Sequence, residues 1–183
     1  MVAAIRLIDR YAGNFFCNLL GFVKNSHAKA WGVFYHARKS FSDFRHFNIK
    51  KPISKETSKI LVIQLWGIGE TVLTLPAIGA LRKNYQKAEI NMLCTLRNKD
   101  VYFGNKNLNH IFLLRLNPFS IINFILSNMK KYDLVIDMEE YLNVSAIISF
   151  LAGRNAIGYS HNAMGKLYTD KIKYNDKQHA VQT

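Results

Sequence analysis

Leu61-Val-Ile-Gln-Leu-Trp-Gly-Ile-Gly-Glu-Thr-Val-Leu-Thr-Leu-Pro-Ala-Ile-Gly-Ala-Leu81 holds three patterns in one run. Leu61–Leu65 is apolar apart from Gln64, as expected of a strand buried on both faces. Trp66–Thr71 holds two glycines, which let a backbone turn sharply and come close to a ligand. From Thr71 onward, Val72, Leu75, Ile78, Leu81 and Tyr85 recur at helical spacing. Strand, glycine turn and helix in that order open a βαβ unit. Glu70 falls at the turn, where a carboxylate is favoured by the helix dipole and by free N–H groups. On spacing alone, Glu70 is either a capping acid or a group that does chemistry.

The same alternation continues downstream. Strand-like runs occupy Ile60–Leu65, Ala88–Leu96, Ile111–Leu116, Asp133–Met138 and Ala156–Tyr159. Helical runs occupy Thr71–Tyr85, Phe119–Met129 and Leu142–Leu151, the last ended by Gly153. This predicts an α/β fold, a Rossmann-like parallel sheet covered on both faces, with ligands at the carboxyl ends of the strands. A second polar site is expected at Asp137-Met138-Glu139-Glu140-Tyr141-Leu142-Asn143, where three acids follow an apolar strand. These acids are either helix-start caps or ligand contacts with raised pKa values. Gly158-Tyr159-Ser160-His161-Asn162 is a third polar loop. The glycine turn is not a dinucleotide fingerprint, because Val72 holds the third glycine position, and it lacks the Gly-Lys-Ser/Thr of a Walker A loop.

The first 58 residues differ from the rest. The chain of 183 residues carries a formal charge of +13, and residues 1–59 hold eleven Lys/Arg against Asp9, Asp43 and Glu56, a net of +8. Ile5, Ile8, Tyr11, Phe15, Phe16, Leu19 and Phe22 recur every three to four residues, so an amphipathic helical arm is predicted. No apolar run there reaches the length of a spanning helix or has the form of a signal peptide. The arm has three readings: a helix lying on an anionic membrane through residues 1–51, a helix packed on its own domain or a partner, or an aromatic-basic RNA surface. Residues 48–58 read as a linker, which gives a division into an arm at 1–58 and a domain at 59–183. Cys17 and Cys94 form no disulfide framework, and the six histidines show no metal spacing.

Leu61–Ile78 resembles the opening motif of glycosyltransferase family nine, the ADP-heptose:lipopolysaccharide heptosyltransferases and their relatives. Three further stretches are similar: Tyr132–Glu139, Asn143–Gly153 leading to Ile157-Gly158-Tyr159, and Tyr174–Val181. The resemblance implies a GT-B architecture whose N-terminal domain binds the acceptor and whose C-terminal domain binds the sugar nucleotide. It implies inverting transfer of a heptose-type sugar to a lipid-linked saccharide, at the cytoplasmic face of the plasma membrane, without cofactor or obligatory metal. Glu70 maps onto the family's general base, an aspartate there. Trp66, Gly67, Gly69, Thr71, Glu139 and Asn143 map onto acceptor-side positions, and Asn143 stands where heptosyltransferases often carry a lysine. The donor-binding C-terminal domain is expected to be absent, so nucleotide-sugar binding would need that missing domain and the chain would be inactive alone. The alternative is a non-catalytic, membrane-associated glycan- or partner-binding module. No specific nucleic acid is expected.

Overall fold

The computed structural model describes residues 9–25, 57–160 and 163–173. A five-residue π-helical turn, Asp9–Gly13, leads into helix α1 (Asn14–Asn25). The body then runs β1 (Lys59–Ile63), α2 (Ile68–Asn84), β2 (Glu89–Cys94), β3 (His110–Leu113), α3 (Pro118–Asn128), β4 (Tyr132–Asp137), α4 (Asn143–Ala152), β5 (Gly153–Tyr159) and β6 (Asp170–Ile172). Short 3-10 turns occupy Lys99–Tyr102 and Met164–Lys166. The six strands form one sheet in the order β3-β2-β1-β4-β5-β6, and every pairing is parallel.

The α/β expectation is met, and the physical reason lies in β1. Ile60, Leu61, Val62 and Ile63 are all fully buried, because successive side chains enter opposite layers. Leu61 and Ile63 join Leu93, Val135 and Ile148 on one face of the sheet. Ile60 and Val62 join Ile78, Ile90, Met92 and Tyr102 on the other. Helix α3 starts where Asn117 accepts the Ser120 N–H at 2.8 Å and Pro118 takes the first helical position. Helix α2 begins at Ile68, a turn earlier than the periodicity predicted, so Glu70 lies within its first turn.

The strand order reverses direction at β1, which pairs with β2 on one side and β4 on the other. Their carboxyl ends are adjacent, with Ile63 beside Asp137 in register. In open parallel sheets such a switch point is where a crevice forms and ligands bind. The two sequence-predicted sites therefore lie side by side at the switch point.

A third buried cluster lies outside the sheet's two layers. Cys17 of α1 packs with Ala146, Phe150, Ala156, Met164, Leu167 and Tyr168. The arm is thus docked on its own domain through α1. Residues 1–8 and 26–56, which hold the rest of the arm and most of the linker, fall outside the described residues, as do His161, Asn162 and Tyr174–Val181.

Candidate functional site

The turn after β1 is shaped by glycine. Gly67 has φ 79° and ψ 121°, a conformation that disfavours any side chain. A Cβ there would also collide with the Glu70 carboxylate, which folds back over Gly67. Gly69 faces open space, so no side chain would be obstructed there. Glu70 is exposed and makes no hydrogen bond or ion pair among the described residues. Its carboxyl group therefore sits free at the rim, although it occupies the helix's third position. Thr71 is buried, and both its N–H (3.2 Å) and its hydroxyl donate to the Gly67 carbonyl.

Glu139 reaches the same turn from β4. Its Oε2 accepts the Leu65 N–H at 3.0 Å, the Trp66 N–H at 2.9 Å and, more distantly, Gln64 Nε2 at 3.4 Å. The side chain is 3% exposed and Oε1 takes no hydrogen bond among the described residues. Burial pushes its pKa up, the neighbouring Asp137 charge adds to the rise, and the amide donors oppose it; the result is about 8. Asp137 is also buried, and burial raises it to about 6. Its Oδ2 accepts the Tyr168 hydroxyl at 2.8 Å and the Ser149 hydroxyl at 3.2 Å, while Oδ1 accepts the Glu139 N–H at 3.0 Å. Neither the helix-cap nor the ligand-contact reading anticipated this: Asp137 and Glu139 are hydrogen-bonded internally and join β4 to α4 and to the β1 turn.

Asn143 is placed differently from the other candidates. It is 4% exposed, and its Nδ2 donates to the Asp9 carbonyl at 3.2 Å. Its backbone N–H donates to Asp9 Oδ2 at 2.8 Å, and the Val144 N–H to Asp9 Oδ1 at 2.9 Å. Helix α4 has no side-chain cap at its own N-cap, Leu142. Asp9, over 130 residues earlier in the chain, caps it instead. Burial raises the Asp9 pKa, against the pull of those two amides. The Asn143 side chain thus holds the arm rather than facing the crevice.

Two contributors were missed in the sequence. Asn98 is 1% exposed and ties three elements together: Nδ2 donates to the Gln64 carbonyl and to Thr71 Oγ1, both at 2.9 Å, and Oδ1 accepts the Thr95 N–H at 2.9 Å. Arg97 lies over the Trp66 ring at 4.8 Å, placing a cation beside the turn. An Asn three residues after a strand's last Thr was a local turn signal; the Arg–Trp stack had none. Among the described residues no cluster of His, Cys, Asp or Glu suits a metal ion. A hollow of about 460 Å³ lined by Thr57, Ser58 and Asn84–Ala88 lies at the opposite, amino-terminal edge of the sheet, away from the switch point.

Several solved structures share this fold. A glycosyl transferase family 9 protein from Veillonella parvula DSM 2008 superposes with a TM-score of 0.58 at 19% identity, over 68% of this chain and 39% of that one. The fold is shared with glycosyltransferases of family 9. The Escherichia coli heptosyltransferase WaaC, solved with ADP, gives 0.57 at 19% identity over 68% of this chain and 43% of its own. The E. coli ADP-heptose lps heptosyltransferase II gives 0.54 at 16% identity over 65% and 36%. This chain therefore spans less than half the length of these structures. No protein-family model and no curated protein matches the sequence.

Proposed function

We propose that this chain is the acceptor-binding half of an inverting glycosyltransferase that acts on a lipid-linked saccharide of the cell envelope. The observation that supports the proposal is the switch-point turn, where Glu70 is an exposed carboxylate in the first turn of α2. An ionised carboxylate there accepts the proton of an acceptor hydroxyl as its oxygen attacks the anomeric carbon of the donor sugar. The nucleoside diphosphate leaves with the bonding pair, and configuration inverts. Glu70 is the proposed base, with Trp66, Gly67, Gly69 and Thr71 forming the acceptor wall and Glu139 bracing it from beneath. The donor, a nucleotide sugar of the kind bound by the solved heptosyltransferases, requires a second domain supplied outside this sequence. Residues 1–51 carry the basic charge that holds the protein peripherally on an anionic membrane, at its cytoplasmic face.

The test mixes the chain with a separately produced family nine donor-binding domain, a nucleotide-heptose and a truncated lipopolysaccharide acceptor. Release of nucleoside diphosphate is expected only in the mixture. General-base catalysis contributes about 10²–10⁴-fold, so Glu70→Gln should lose at least roughly 100-fold. A Glu70→Gln protein as fast as the parent would remove Glu70 as base. The second reading, a glycan-binding module, draws on Asn143, whose side chain is turned to the arm. Acceptor binding with no turnover in any mixture would support it.

A further inference from the structure

Helix α1 has two faces of opposite character. The inner face is made of small residues. Gly13, Cys17 and Gly21 are buried at four-residue spacing. A Cβ at Gly13 would lie 2.6 Å from Asn143 Cβ, and one at Gly21 would lie 3.0 Å from Lys166 Cβ. Two polar contacts fix the rotation of the helix on that seat. Asp9 caps α4, and Lys166 Nζ donates to Asn18 Oδ1 at 2.7 Å. The outer face is apolar and uncovered: Tyr11 is 73% exposed, Phe15 64%, Phe16 51% and Leu19 45%.

The seat therefore turns an aromatic stripe outward, although a helix folding for burial alone would turn it inward. We propose that Tyr11, Phe15, Phe16 and Leu19 are the surface that enters an anionic bilayer, and that the Asp9 cap holds the crevice at the level of the lipid headgroups. This rests on the membrane role proposed above for residues 1–51 and names the side chains that perform it. Charge selects the occupant. Asp9 is the only acid between residues 9 and 25, and it is half-buried with both carboxylate oxygens turned to α4, so the outward face offers Arg10 and no carboxylate. The sequence then adds Lys24, Lys29, Arg38, Lys39, Arg45, Lys50 and Lys51. A second copy would bring a like excess of +8 over residues 1–59, which opposes self-association. An anionic lipid surface attracts it and accepts aromatic side chains at its headgroup boundary. The α4 N-terminus that Asp9 caps follows β4, whose carboxyl end lies beside that of β1, so α1 sits at the same end of the sheet as the Glu70 turn and an acceptor anchored in the same bilayer would present its saccharide there.

The experiment is flotation of the full chain with vesicles of phosphatidylcholine alone or mixed with phosphatidylglycerol. The parent should float with the mixed vesicles only, and added salt should weaken it. The triple variant Phe15→Ser/Phe16→Ser/Leu19→Ser removes exposed groups only, and should unfold at the parent's temperature. It should lose roughly 100-fold in partition, since each side chain is about half exposed and its transfer from water is worth about a fivefold factor. Tyr11→Trp should gain a fluorescence signal quenched by brominated lipid above the background of Trp31 and Trp66. Equal flotation of parent and triple variant overturns the proposal. So does binding to both vesicle types alike, or a triple variant that changes only the oligomeric state. Glu70→Gln should float like the parent whatever its transfer rate, so the two claims fail separately.

Discussion

Replacing Asp9 by alanine tests the contact on which the arm's placement depends. The substitution removes the acceptors of the Asn143 and Val144 amides, at 2.8 and 2.9 Å. Losing an N-cap acid costs about 0.5–2 kcal/mol. The upper part of that range applies, because Asn143 is buried and Leu142 offers no substitute. The desolvation that raises the Asp9 pKa offsets part of the gain, which leaves a net loss near 1.5–2 kcal/mol. With a urea m-value of about 2 kcal/mol per molar, the unfolding midpoint should fall by nearly ~1 M. A local readout separates undocking from global unfolding. Cys17 is fully buried and its thiol is pushed up to about 12 by burial, with Asp9 and Asp137 adding to the rise, so it should react slowly with a thiol reagent. A loss of ~2 kcal/mol in docking should speed its modification roughly 30-fold. Cys94, buried in the sheet, serves as the internal reference when the modified peptides are weighed. Asp9→Asn keeps one carbonyl acceptor and should fall between the two. A midpoint within ~0.15 M of the parent, together with an unchanged Cys17 rate, would refute Asp9 as the cap of α4.

Gly67→Ala meets both an unfavourable φ and the Glu70 carboxylate, so it should cost about 1–3 kcal/mol in urea unfolding and push Glu70 out of place. Its transfer rate in the reconstituted mixture should fall with that of Glu70→Gln. The pH profile follows from Asp137 and Glu139, both raised by burial. A carboxyl raised in the folded state contributes stability that is complete below its unfolded pKa, near 4, and is lost as pH rises through its folded value. Thermal stability should therefore fall between pH 4 and pH 8, through about 6 for Asp137 and about 8 for Glu139. The double variant Asp137→Asn/Glu139→Gln should flatten that slope; an unchanged slope would show the two acids ionise as freely as in the unfolded chain.

The strand and helix pattern was legible because the central strands are buried on both faces and become continuous apolar runs, as in Ile60–Ile63. β6 (Asp170–Ile172) was not legible: all three residues are exposed at the sheet's edge, where no burial pattern is imposed. The glycine turn and Glu70 could be found because their constraint is local, five residues deep. The direction of Asn143 could not. Its partner, Asp9, lies over 130 positions away, and both α1 and α4 looked like ordinary amphipathic helices. The same holds for Glu139, whose carboxyl grips the β1 turn across about 73 positions.

By itself, then, the sequence determined which segments become strands and helices, the strand–turn–helix that ends β1, and the excess of positive charge in the arm. These depend on periodicity and on residues near one another in the chain. Only the tertiary structure decided that the β1 and β4 ends lie side by side, that Asp137 and Glu139 are braces, and that α1 turns its glycines inward and its aromatics outward. Those outcomes depend on which distant groups satisfy one another's hydrogen bonds once packed, and a one-dimensional pattern does not carry that information.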